Sequence, residues 1–346
     1  MGIVEGKGRH WTGRWRALAV AVLLLLCPAP AVALEAGRLL PDHEGFSFWE
    51  QGPFRIKFAR QGEHAAPDRD SSGNGCPDFV EDVAKQLNMA HYIFCDLFGF
   101  PSPLESPRYP GVRYFNVGIY NRERLQGYRG LNFDRPANAV DTAAFSVQEP
   151  GRPLPRSRVL NMMISRDIDP AGNMTPAHEY FHHIQNGATY FKPNWFYEGL
   201  AAWSYDALGV WRPVSKAVAA SAGNPLDLLA DPERLEELLA SSYGAADTLW
   251  MPLARLCPGA SQPLPEEDPF LDLVYSDGSS VLKDREIAGM RMMREILAGF
   301  AAAEEEAFSL YQYGEWSSAA RRDPRNNHHM VEVILKTAAA VCLGAE

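Results

Sequence analysis

The chain has 346 residues, 46% hydrophobic and 22% charged, with a formal net charge of −10. That composition is ordinary for a folded protein and excludes collagen-like, coiled-coil and largely disordered readings. The excess of 43 Asp and Glu over 33 Lys and Arg speaks against a nucleic-acid partner, which calls for a basic face.

Taken in order, the chain opens on Lys7, Arg9, Arg14 and Arg16, an uninterrupted apolar run from Ala17 to Leu26, and Ala31-Val32-Ala33. A charged start, a short apolar core and a small-residue exit describe a secretory signal peptide over 1–33, cleaved after Ala33. The apolar run is too short for a membrane span, which needs about 20 residues. A lipid anchor at Cys27 is the lesser reading, because Leu26 stands where a small residue is wanted. The expected product is an exported, secreted or periplasmic chain without an integral membrane span. Without 1–33, 29 basic and 42 acidic residues remain.

Four further cysteines, Cys76, Cys95, Cys257 and Cys342, allow three pairings in an oxidising compartment. Val80, Val83, Leu87, Ala90, Ile93, Phe94 and Leu97 recur at helical spacing, predicting a helix over 79–98. Such a helix holds Cys76 and Cys95 roughly 25 Å apart at its usual rise, too far to bond. Cys95 is then either a buried thiol or the partner of a distant cysteine.

Strands are predicted at 54–58, where Phe54-Arg55-Ile56-Lys57-Phe58 alternates, and at 112–120 and 158–165. Residues 121–157 are rich in Gly, Pro, Asn and Arg and predict a long irregular excursion. From 176 onward helical patterns dominate, including 331–343, broken by a Pro- and acid-rich loop at 258–269. Strands first and helices later predict an α+β part over 34–174 and a mostly helical part over 175–346.

The motif that carries chemistry is His178-Glu179-Tyr180-Phe181-His182, preceded by Thr175-Pro176. Thr175 suits an N-cap and Pro176 the first helical position, so a helix should begin here. Histidines at i and i+4 project from one helical face and can share a Zn²⁺, with Glu179 beside the metal's water as general base. A third ligand is required. The extended motif with Gly and then His fails, since Gln185 and Ala188 occupy those places. Downstream, Asn194-Trp195-Phe196-Tyr197-Glu198-Gly199-Leu200-Ala201 opens a second helical stretch and offers Glu198.

This H-E-x-x-H followed by W-x-x-E-G-x-A resembles the gluzincin metallopeptidases, and in particular a secreted bacterial group of metalloproteases carrying H-E-[YF]-F-H and a later E-G-x-A. The resemblance implies His178, His182 and Glu198 on zinc, Glu179 as general base, and a peptide or protein substrate. It implies a zincin-like fold, a small mixed or antiparallel sheet beside the active-site helix. The strand at 158–165 would flank the cleft, where an extended peptide could add as another strand. Two departures stand out. The spacing from His182 to Glu198 is short, so the link must turn tightly. Ala202 stands where some gluzincins place an Asp, and Asp206 is too far along to replace it. Tyr243, Tyr205 and His183 are the candidates for stabilising an oxyanion. The alternative function is an exported metal-binding protein that holds a polypeptide or surface partner without turnover.

Residues 70–81 fit the twelve-residue calcium-loop template, with Asp70, Ser72, Asn74, Asp78 and Glu81 at positions 1, 3, 5, 9 and 12 and Gly75 at position 6. Cys76 would contribute its backbone carbonyl. The template predicts a structural Ca²⁺, in addition to the Zn²⁺, that would pin the loop to the helix, and a similar stretch in the same bacterial group adds to the resemblance. The other reading is a hydrogen-bonded surface turn. His328-His329 are expected on the surface, Trp195, Phe196, Tyr197 and Trp203 in the core, and Glu304-Glu305-Glu306 on a solvated helix face.

Overall fold

Alternation of apolar and polar residues builds the sheet, and the computed structural model describes it within residues 34–43, 45–138, 158–208, 223–283, 285 and 287–343. The expected signal peptide and Cys27 lie outside the described residues, as does 139–157 of the expected excursion. The strands are β1 (Arg38–His43), β2 (Phe46–Gln51), β3 (Phe54–Ala59), β4 (Val112–Tyr120), β5 (Gly130–Asn132), β6 (Ala137–Asn138) and β7 (Arg158–Ser165). They form one mixed sheet in the order β1-β2-β3-β4-β7-β5, with β6 also on β7. β3, β4 and β7 run parallel, whereas β1, β2, β5 and β6 pair antiparallel to their neighbours. β2 and β3 are joined by Gly52-Pro53, and Gly52 has φ 54°, the conformation a two-residue hairpin turn takes from glycine.

The three parallel strands align their inward residues in rows. Phe54, Phe115 and Leu160 form one row and Ile56, Val117 and Met162 the next, nearly all shut off from solvent. Two helices cover this face, α1 (Asp78–His91) and α2 (Thr175–Ala188). The Tyr180 ring of α2 meets Phe54 at 5.6 Å and Phe115 at 5.3 Å edge-on. Burial of such rings supplies most of the driving force for docking α2 on the sheet. The helix expected over 79–98 is regular only to His91 and continues as a wider π-type turn, Tyr92–Leu97. That turn places Tyr92 on Phe270, stacked at 4.3 Å, and Phe94 on Phe181 at 5.0 Å. Cys95 is a free, half-buried thiol 3.2 Å from the Tyr180 hydroxyl, and Cys76 is free and buried. Cys257 and Cys342 form the disulfide, with Cα atoms 5.7 Å apart.

Behind α2 lies α3 (Asn194–Leu208), and the longer helices that follow among the described residues are α4 (Pro225–Ala230), α5 (Pro232–Ala240), α6 (Met290–Leu310) and α7 (Asn326–Leu343). The irregular stretch between α5 and α6 runs on to Gly289, well past the loop expected at 258–269. Trp195, Phe196 and Trp203 are buried core. Two surface expectations need correction. His329 is buried in the first turn of α7, its Nε2 3.2 Å from the Tyr311 hydroxyl, and of the pair only His328 is exposed. Glu304 is also buried. Its carboxylate pairs with Arg108 and accepts hydrogen bonds from the Thr189 hydroxyl at 2.9 Å and the Tyr190 N–H at 2.5 Å. An acid-rich run reads as solvated from its own letters, but the partners of Glu304 come from distant segments.

Glu304 thereby fastens the link between α2 and α3. Removing one member of a buried, hydrogen-bonded charge pair leaves the other uncompensated, at a cost of about 3–5 kcal/mol. Glu304→Ala is therefore expected to lower the urea-denaturation free energy by about that amount, while Glu305→Ala, on an exposed position, should change it by no more than about 0.5 kcal/mol.

Candidate metal centre and its cleft

The start of α2 is set two residues upstream of the expected cap. Thr175 is the first helical residue and its hydroxyl does not cap. Instead both its N–H and its hydroxyl donate to Asn173 Oδ1, at 2.9 and 2.6 Å. Pro176 holds the first-turn position as expected. The next free N–H, that of Ala177, donates to Gln86 Oε1 at 3.1 Å, and the Gln86 amide donates to the carbonyls of Pro170 and Asn173. These are the orphan donors that a helix start must satisfy. Nothing in the local pattern singles out Gln86, since its partners lie some ninety residues away.

On α2 the His178 and His182 rings stand 4.6 Å apart. The short link 189–193 turns the chain back so that Glu198, one turn into α3, faces both. Glu198 Oε2 lies 3.4 Å from His178 Nε2 and 3.5 Å from His182 Nε2. Among the described residues this is the one group of three or more His, Cys, Asp or Glu whose ligand atoms all lie within 4.8 Å of one another. Glu198 Oε2 is buried and has no hydrogen-bond partner. A buried carboxylate oxygen left without a donor is costly unless a cation takes the place. The spacing fits one, because bonds of about 2.0–2.1 Å in a tetrahedron separate neighbouring ligand atoms by about 3.3–3.4 Å. The three expected ligands are thus brought together, and they can hold a metal ion.

The ligands are held from behind. The His182 ring stacks on Tyr197 at 4.0 Å and 12°, and its Nδ1 lies 2.8 Å from Gln185 Oε1. Glu179 is buried beside the cluster, and burial lifts its carboxyl to about 7, near neutrality. A strand runs close against it. A Cβ placed on Gly130 would fall 2.5 Å from Glu179 Oε1 and 2.6 Å from Thr175 Cγ2, so position 130 has no room for a side chain. Asn132 pins the same strand by donating to the Glu179 carbonyl at 3.0 Å and accepting from Asn186 at 2.9 Å.

This corrects the edge-strand expectation. β7 is flanked by β4 on one side and by β5 and β6 on the other, so β5 borders the site. The Arg129 carbonyl accepts from Ser165 and the Phe133 N–H donates to Asn161. Strand alternation then turns the N–H and C=O of Gly130 and Asn132 away from β7, towards the side of β5 that has no partner strand among the described residues.

The cleft over Glu179 has a volume of about 520 Å³ and is lined by His178, Gly130, Thr175, Tyr128, Tyr205 and Tyr243, among others. Of the three oxyanion candidates, Tyr243 and Tyr205 line it. The Tyr243 ring lies over His178 at 5.9 Å and 26°. Burial and the Glu198 carboxylate raise its phenol, keeping the proton in place. His183 is not a candidate. It points into the core against Phe115 at 5.3 Å, and burial holds its pKa down to about 3, so it stays neutral. Ala202 also lines the cleft, and the side chain of Asp206 lies outside the described residues.

The 70–81 loop gathers differently from the group of His178, His182 and Glu198. Asp70 turns inward to accept from the N–H groups of Gly73 at 2.7 Å and Gly75 at 2.8 Å, with the Ser72 hydroxyl at 3.2 Å. Asn74 accepts from the Cys76 N–H and donates to Glu81 at 2.9 Å, which brings positions 5 and 12 together. Asp78, in contrast, is engaged by the N–H and hydroxyl of Ser71. The oxygens of Asp70, Asp78 and Glu81 do not meet at one point.

No family model, curated protein or solved structure matches the chain.

Proposed function

We propose that this cleft is the active site of an exported zinc-dependent peptidase of gluzincin type. The observation that carries the reading is the unpartnered, buried Glu198 Oε2 at 3.4–3.5 Å from two histidine nitrogens, with Glu179 on the same helix and a strand edge alongside. His178, His182 and Glu198 would hold the zinc, whose contribution when bound is Lewis acidity and a water acidified to near neutrality. Glu179 would serve as the general base and acid, taking a proton from the attacking water and giving it to the leaving amine. Burial, which raises its carboxyl towards 7, suits a group that must take up and release a proton at ordinary pH. The Tyr243 hydroxyl, kept protonated above His178, can donate to the oxygen that gains charge.

An extended peptide would lie along β5, its backbone pairing with the outward groups of Gly130 and Asn132. Gly130 lets that backbone pass close to Glu179. Export follows from the N-terminal pattern of charged, apolar and small residues.

Replacing Glu179 by Gln removes the base but none of the ligands. Glu179→Gln is expected to retain about one zinc per chain and to hydrolyse a quenched fluorescent casein about 10²–10⁴-fold more slowly. Equal hydrolysis by both proteins would contradict the assignment, and a native protein that binds zinc but cleaves nothing would favour a binding protein without turnover.

We also propose a structural calcium in the 70–81 loop, a reading that rests on the twelve-residue spacing of Asp70, Ser72, Asn74, Asp78 and Glu81. Millimolar calcium added to metal-stripped protein should then raise its Tm by about 2 °C or more, and Glu81→Gln should abolish the rise. No calcium-dependent shift would leave a hydrogen-bonded turn.

A further inference from the structure

We infer that Gln185 is a positioning residue that sets the metal-binding tautomer of His182 and ties it to the helix carrying Glu198. The inference rests on the metal reading only in its consequence for zinc affinity, because the tautomer follows from the contacts alone.

Gln185 is buried on α2, three residues beyond His182. One end of its amide faces two backbone carbonyls of α3, those of Tyr197 at 3.0 Å and Phe196 at 3.3 Å. Carbonyl oxygens only accept, so the atom facing them must be the NH₂ group. An oxygen there would oppose two oxygens in a buried site, the costliest arrangement available. The other end of the amide is then the carbonyl oxygen, which is the atom 2.8 Å from His182 Nδ1. Gln185 Oε1 can only accept, so Nδ1 must carry the proton. In a neutral imidazole that leaves Nε2 bare, and Nε2 is the nitrogen facing Glu198 Oε2 at 3.5 Å. Stacking on Tyr197 fixes the plane of the ring, and Gln185 fixes which nitrogen donates.

One side chain therefore couples two metal ligands. The carbonyls it holds belong to the two residues just before Glu198, so any drift of α3 that moves the carboxylate also strains the amide that selects the histidine tautomer. Partners of this kind around metal-binding histidines commonly contribute about 10–100-fold in metal affinity. The usual partner is a carboxylate or a single carbonyl. Here an amide is required, since a group that only accepts would satisfy His182 and repel the two carbonyls.

The test uses the purified full chain, native and with Gln185→Met, which keeps the length and volume of the side chain while removing donor and acceptor. In zinc-free native protein, long-range ¹H–¹⁵N correlation spectra, with the His182 signals assigned by their loss in His182→Ala, should show His182 protonated at Nδ1. Gln185→Met should shift His182 towards the Nε2–H form or a mixture, and should raise the Kd for Zn²⁺ about 10–100-fold. A native His182 protonated at Nε2, or a folded Gln185→Met protein with native zinc affinity, would overturn the inference. The native spectrum decides the tautomer even where the variant fails to fold. Failure of the native chain to bind zinc at all would sink the metal reading alone, since the tautomer measurement stands apart from it.

Discussion

The site depends on bringing one carboxylate from α3 against two imidazoles from α2. Left alone, the buried oxygen of Glu198 and the two inward nitrogens would be a cluster of desolvated polar groups with too few partners, which proteins avoid unless a ligand completes the set. Much of the surrounding structure follows from keeping that convergence in register. The chain has only the link 189–193 in which to reverse direction, and Glu304 accepts two of its donors while paired to Arg108. A second tie, in which Lys192 meets Asp134 at 2.6 Å, secures the end of the same link.

The sheet serves the site from the other side. Tyr180 holds α2 on the parallel strands through Phe54 and Phe115, and Phe181 packs it on Phe94, Phe100 and Trp203, which leaves His178 and His182 facing Glu198. Glu179 lies at the border between core and cleft, which is why its carboxyl is desolvated while it still lines the cleft. Gly130 and Asn132 close that border. The first gives up a side chain so that the strand can approach, and the second fastens the strand to the backbone of the helix.

What could be read from the letters was whatever has a local period or spacing. The i, i+4 histidines, Pro176, the alternation at 54–58 and the glutamate opening the next helix all express themselves within a dozen residues, and all lie where that reading puts them. β1 and β2 were missed because Phe46, Phe48 and Trp49 do not keep a clean alternation: Phe48 and Trp49 are adjacent and both buried. The long-range features left no local trace. Glu304 sits in a run of three identical letters and only tertiary contact singles it out, β5 is three residues long, and Gln86 caps α2 from another helix. His183 was misplaced for a related reason. It follows His182 directly, and one step of about 100° around a helix carries it from the cleft to the core.

Zinc content per chain of purified protein, native and with Glu198→Ala, is the most direct measurement of the central claim. About one zinc is expected in the native protein, lost or sharply weakened in the variant, because two imidazoles without the carboxylate would leave a metal underliganded. Zinc retained fully by Glu198→Ala would place the third ligand elsewhere, and no zinc in either protein after it is added back would rule out a zinc site at His178, His182 and Glu198.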